Sequence, residues 1–160
     1  FVSSAYPDKA ALCETETGDV VHALKGHRLS VDAVAISGDG KHVLTASADT
    51  MAILSDARTG KTVRTLHQHS TDEVTSVALS TDGARALTVN EKNTAFLWDT
   101  ASGKKLFTFQ EWANSLPSVA LSRDGKVLGA AGAGVHLWDL ASGKKLQTFH
   151  GKTGYFQTMA

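Results

Sequence analysis

Two tripeptides, Gly60-Lys61-Thr62 and Gly151-Lys152-Thr153, carry the residue types that close a phosphate-binding loop. Such a loop cradles phosphate oxygens on consecutive backbone N–H groups; it needs another glycine five residues before its second one, and a helix after it. Ser55 and Leu146 stand where those glycines belong and strand-like residues follow, so both tripeptides read as strand-linking turns with an exposed lysine. The run Gly129-Ala130-Ala131-Gly132-Ala133-Gly134 is glycine-rich, yet it lacks the strict spacing and the helix that bring a backbone against a pyrophosphate; it reads as a tight turn between strands. His67 and His69 fall on one side of an extended segment, as two metal ligands would, but no cysteine or third ligand lies nearby. A structural His69 and a solvent-facing His67 are expected. With no nucleophile elbow and no metalloprotease His-Glu signature either, no catalytic, cofactor or metal residue emerges, and the chain is expected not to be an enzyme.

The remaining candidates are acidic: Asp32, and the pair Asp72-Glu73. Their meaning depends on the elements that carry them, and bulk composition limits those elements. The chain has 160 residues, 42% apolar and 20% charged, enough for a core in one globular unit. Sixteen Lys and Arg balance sixteen Asp and Glu, so no broad positive field draws nucleic acid or anionic lipid. No stretch is apolar for the eighteen or more residues a membrane-spanning helix needs. The single Cys13 cannot form an internal disulfide, which leaves the cytoplasm and a bacterial cell envelope equally open as locations.

Laid on itself, the chain repeats. The turn Asp39-Gly40 returns as Asp82-Gly83 and Asp124-Gly125, spaced 43 and then 42 residues. Thr17-Gly18 returns as Thr59-Gly60, Ser102-Gly103 and Ser142-Gly143, at spacings of 42, 43 and 40. Trp98-Asp99 returns as Trp138-Asp139; Ser55-Asp56 fills the slot one repeat earlier, and Cys13-Glu14 one before that. Within a period, apolar residues alternate by two, and turn residues punctuate them. Val31–Ile36, His42–Ser47, Met51–Ser55 and Lys61–Leu66 read as four antiparallel strands. A sheet that small cannot bury both its faces alone, so copies must stack, and radial stacking of such sheets makes a propeller. The repeats are placed at 1–24 (partial), 25–66, 67–109 and 110–149, with the start of a further one at 150–160.

The order Gly26-His27, Ser37-Gly38-Asp39-Gly40, Thr45-Ala46-Ser47-Ala48-Asp49 and then the Trp-Asp slot resembles the WD-repeat family, over essentially the whole chain. The resemblance implies an all-β propeller of four-stranded antiparallel blades. The compact repeats and Ser-Gly-Lys turns resemble bacterial members. It also implies a buried network of a His, a turn Asp, a strand Ser or Thr and the Trp, because a buried indole N–H and imidazole need partners. His27, Asp49 and Thr45 or Ser47 supply it in one copy, with Ser55 replacing the Trp. His69, Thr88 and Trp98 supply it in the next, where Lys92 replaces the Asp. In the third copy Trp112 takes the His position, the turn around Gly132 and Gly134 is two residues shorter, and Trp138 is kept.

By the same resemblance, the residues flanking each first strand and the residue before the turn Asp face a partner-docking rim: Ser30, Asp32, Ala48, Glu73, Thr75, Glu91, Ser115 and Pro117. An acidic rim favours a protein partner rich in Lys or Arg. The function expected is a non-catalytic protein-interaction scaffold without cofactors; the alternative is a ligand-sensing or regulatory propeller of a larger protein. Phe1 aligns with Val43 and Ala160 with Ala35. About four repeats of a larger ring are therefore expected, completed by missing repeats or by another chain, with closure of a ring of four as the alternative.

Overall fold

A computed structural model describes residues 2–5, 9–67, 71–110, 118–131 and 134–149. Every regular element in it is a strand. β1 (Val2–Ala5), β2 (Lys9–Cys13) and β3 (Val20–Leu24) form a three-stranded sheet. Three four-stranded sheets follow. They are β4 to β7 (Val31–Ile36, His42–Ser47, Ala52–Asp56, Thr62–Leu66), β8 to β11 (Val74–Leu79, Arg85–Asn90, Ala95–Asp99, Lys105–Phe109) and β12 to β15 (Ser118–Leu121, Val127–Ala131, Val135–Asp139, Lys145–Phe149). Each sheet is an antiparallel meander in chain order. No described helix is long and apolar enough to cross a membrane.

Three strand limits differ from the sequence reading, one of them the end of β6, which runs on to Asp56. Met51 belongs to the preceding turn, because its N–H is taken by the Asp49 carboxylate (3.1 Å). Lys61 closes the next turn, its carbonyl accepting from the Asp56 N–H (2.9 Å). The glycine-rich run is also not wholly a turn: Gly129, Ala130 and Ala131 are strand residues of β13, paired with Leu137, His136 and Val135.

The register of all four sheets slips at one equivalent point, between Leu12 and Cys13, Leu54 and Ser55, Leu97 and Trp98, and Leu137 and Trp138. The Trp slot thus lies opposite a bulge whose extra residue is on the last strand of each sheet (Val21, Val63, Leu106 and Leu146), and Cys13 and Ser55 occupy the slot where the tryptophan is absent. The sheets stack face to face. Leu44, Ala46, Ala52, Leu54 and Leu66 of the β4–β7 sheet pack on Val77, Ala86, Phe96 and Trp98 of the β8–β11 sheet. Leu87, Val89, Leu97 and Phe109 meet Val119, Leu128, Ala130 and Trp138 in the same way. Strands β4 and β8, and β8 and β12, run side by side as the innermost strands of neighbouring blades. The architecture is that of β-propeller blades.

A polar joint recurs at the outer strands. His22 Nε2 donates to the Arg58 carbonyl of the next sheet (2.8 Å). One blade on, Arg64 Nη2 donates to the Ala101 carbonyl (2.7 Å) and Nε to that of Thr100 (3.2 Å). Phe107 lies against Gly143 at the third such joint. Gly103 is required there twice over: its φ is +71°, and a Cβ would come within 2.5 Å of Arg64 Cδ.

The turns hold their carboxylates on hydroxyl groups. Ser37, Ser80 and Ser122 donate to Asp39, Asp82 and Asp124 at 2.6–2.7 Å. Thr59, Ser102 and Ser142 donate to Asp56, Asp99 and Asp139 at 2.5–2.7 Å. These hydroxyl bonds, helped by turn N–H groups, hold all six carboxyls below the usual range, Asp39 at about 2.

In the unfolded chain these groups titrate near ~3.9. Their contribution to stability is therefore full above that value and is lost as pH falls through the lower native values. Circular-dichroism melts should show a midpoint that is flat from neutrality to about pH 5 and drops below about pH 4; a midpoint independent of pH down to 3 would contradict these turn bonds. Trp98, 1% exposed between two sheets, should cost about 3–5 kcal/mol on change to Ala, read by urea denaturation. A loss under about 1 kcal/mol would place the indole outside the core.

Candidate partner-binding rim

One end of the stacked sheets carries the loops that enter each first strand and the turns between second and third strands. Main-chain bonds tie the two together. The Ala48 N–H donates to the Ser30 carbonyl (3.2 Å), and the Glu91 N–H to the Glu73 carbonyl (2.9 Å). A second bulge falls between Val31 and Ala33 and again between Val74 and Ser76, leaving Asp32 and Thr75 as the extra, unpaired residues. A bulge re-aims its side chain off the sheet face, and both residues are exposed. Ser30, Glu73 and Glu91 are exposed and Ala48 is half-buried, so the structure gathers Ser30, Asp32 and Ala48 on one blade and Glu73, Thr75 and Glu91 on the next. Ser115 and Pro117, like Trp112 and His69, lie outside the described residues.

Under the rim, His27 Nδ1 donates to Asp49 (3.0 and 3.2 Å to its two oxygens) and Nε2 meets Thr45 Oγ1 at 2.8 Å. Both the imidazole and the carboxylate are almost fully buried. Asp49 also accepts from the Arg28 N–H (2.8 Å), so one carboxylate fastens the entering loop to the turn. Burial opposes ionisation of Asp49, but the bonds from the Arg28 N–H and His27 outweigh it and hold the pKa low. Ser47 stands outside this chain of bonds: its hydroxyl donates to the Leu29 carbonyl (3.4 Å) and accepts from the Asp49 N–H (3.1 Å).

The next blade solves the same problem differently. Trp98 Nε1 donates to Thr88 Oγ1 (2.9 Å), in the position equivalent to Thr45. Lys92 stands where Asp49 stands one blade earlier, and its ammonium pairs with Asp72. Asn90 Nδ2 donates to the second Asp72 oxygen (3.0 Å). The hydrogen bond from the Lys92 ammonium to Asp72, and then the carboxylate's charge, raise the Lys92 pKa. Asp72 is therefore a buried structural carboxylate, 7% exposed, and not the free rim acid that its place beside Glu73 suggested. In the third blade Ala130 holds the Thr88 position, so Trp138 is held by packing on Phe109 (centroids 5.8 Å), by His136 and by Lys145 over its ring.

Sequence reasoning missed Leu29, an apolar side chain 53% exposed at the rim where its counterpart in the next blade is Asp72. The repeat alignment held that signal, since a leucine beside a loop serine has no strand to bury it. Among the described residues no three His, Cys, Asp or Glu side chains gather to hold a metal.

A family model described as WD domain, G-beta repeat matches residues 18–55 and 60–99. The chain belongs to the WD-repeat family, whose propeller blades generally mediate protein–protein interaction. No curated protein matches the chain.

Thr45→Val preserves side-chain shape and removes the hydroxyl from His27 Nε2, so it should destabilise the fold by about 1–2 kcal/mol in urea unfolding. An unchanged midpoint would show that the His27–Thr45 bond contributes nothing.

Proposed function

We propose that this chain is a non-catalytic scaffold that offers the rim formed by Ser30, Asp32, Ala48, Glu73, Thr75 and Glu91 to a protein partner bearing Lys or Arg. The observation that carries the reading is the Glu91–Glu73 main-chain bond, which brings the backbones of two exposed glutamates together beside the strand ends. The neighbouring Asp72 charge is already neutralised by Lys92, so the unpaired negative charge belongs to the two glutamates. Leu29 adds an apolar contact beside Ser30. Rim carboxylates of this kind accelerate encounter with a basic surface more than they tighten the complex. By sequence equivalence, Ser115 and Pro117 are the corresponding candidates of the third repeat.

Among the described residues the array also has an uncovered face. Leu24, Leu66 and Phe109 hold one equivalent position and are 3–6% exposed, each covered by the following sheet; Phe149 holds it in the last sheet and is 46% exposed. In our reading a further sheet of the same kind covers Phe149 and completes the ring, supplied by repeats outside this sequence or by another chain.

A Lys/Arg-rich peptide should bind the protein, and Glu73→Lys/Glu91→Lys should slow its association about tenfold at low salt, with the fold intact by circular dichroism. Stopped-flow rates that ignore the double change would overturn the rim assignment; loss of folding would show instead that the glutamates are structural.

A further inference from the structure

The opposite end of the blade array holds a cavity of about 310 Å³ in the β4–β7 sheet, lined by Gly40, Lys41, His42, Asp56 and Arg58. We propose that it binds a phosphate group. It lies between the turn that joins β4 to β5 and the turn that joins β6 to β7, which the Ala57 N–H ties together by donating to the Lys41 carbonyl (2.8 Å).

The other repeats serve as internal controls. In the next blade Arg85 replaces His42 and pairs with Asp99 (2.7 Å), while Ala84 and Ala101 replace Lys41 and Arg58. In the third blade the corresponding residues are Lys126, Val127, Asp139 and Ala141. Only the 25–66 repeat combines a cation on each turn with a histidine between them. These residues lie outside the strand-stacking core, and the fold is built without the two cations elsewhere; their coincidence around a cavity calls for a ligand.

The histidine is aimed by its surroundings. His42 Nδ1 is buried with no hydrogen-bond partner among the described residues, pressed against Gly83 of the next blade, where a Cβ would lie 2.5 Å from it. A buried N–H without an acceptor is more costly than a buried bare lone pair, so the single proton of the neutral ring resides on Nε2. Nε2 is not buried, and His42 lines the cavity, so this N–H is a donor on the cavity side. Lys41 and Arg58 are both exposed. Lys41 Nζ reaches Asp39 (3.3 Å) on a side chain 74% exposed, an arm free to turn inward. Asp56 is the one anion of the lining, and its Oδ1 is committed to its own turn, accepting from Thr59 N (2.8 Å) and Oγ1 (2.7 Å). Arg58 also offsets its charge, being among the groups that hold the Asp56 pKa low. An ammonium, a guanidinium and an imidazole N–H carried by three backbone positions line one cavity, which suits a tetrahedral oxyanion with a separate oxygen for each better than a planar carboxylate.

The site is independent of the acidic rim, so either assignment can fail without the other. Calorimetric titration of the full chain with inorganic phosphate and with N-acetyl-phosphoserine amide should each give saturable binding at one site per chain. Lys41→Ala and Arg58→Ala, which install the residues of the next blade, should each weaken it about tenfold while leaving the melting curve unchanged. Lys104→Ala, on the neighbouring blade, should leave binding as it is. Tighter binding of phosphoserine than of free phosphate assigns the cavity to a modified protein side chain; equal binding assigns it to free phosphate. Binding that survives Lys41→Ala/Arg58→Ala, equal affinity for acetate, or no saturation by about 10 mM phosphate would overturn the proposal.

Discussion

A four-stranded sheet of five- or six-residue strands has two faces and no interior, so its stability depends on what lies against each face. Here the faces that meet between successive sheets, from Ala10 to Trp138, close on one another, and the largest buried side chains, Trp98, Leu44, Leu54, Leu87, Leu97 and Leu128, sit between sheets. Burial of apolar area at roughly 25 cal/mol per Å² is the driving force, and it acts across the stack rather than within a blade. The polar joints follow from it: once two sheets are pressed together, His22 or Arg64 of one meets open turn carbonyls of the next.

This division of labour explains why the family's polar network can erode without loss of the fold. One blade keeps the His27–Asp49–Thr45 chain, the next keeps Trp98–Thr88, and the third keeps the indole against Ala130. Around these networks the buried polar groups keep partners; His42 Nδ1 is the exception among the described residues. The replacement of Asp49 by Lys92 is matched by the replacement of Leu29 by Asp72, so the charge pair re-forms with its members exchanged between loop and turn. At the lower turns the exchange of Arg85 for His42 is not matched in this way; a cavity remains.

The two ends of the array consequently differ in chemistry. At the rim, loops are fixed by main-chain bonds and side chains are left outward, the arrangement that suits docking by a macromolecule. At the lower end, the turn carboxylates accept from their own serine and threonine hydroxyls, and in the 25–66 repeat Lys41 and Arg58 stand exposed beside Asp39 and Asp56. If both proposals hold, the acidic edge and the cationic recess lie at opposite ends, so the two ligands would not interfere.

The sequence alone determined the fold class, because a period of about 42 residues with two-residue alternation and recurrent Asp-Gly and Ser-Gly turns is a local signal carried by each copy. It also placed the Trp slot in copies where the tryptophan is missing, since Cys13 and Ser55 hold the same distance from their turns, and the bulge falls opposite them. Strand limits at Met51 and Lys61 escaped it because side-chain and main-chain turn bonds, not polarity, end those strands. Only the tertiary structure decided that Thr45 and not Ser47 meets His27, that Asp72 is buried and Glu73 is not, and that His42 turns one nitrogen against Gly83. Adjacent residues on a strand point to opposite sides, and which side is covered depends on the neighbouring sheet and loop, whose approach no single repeat encodes.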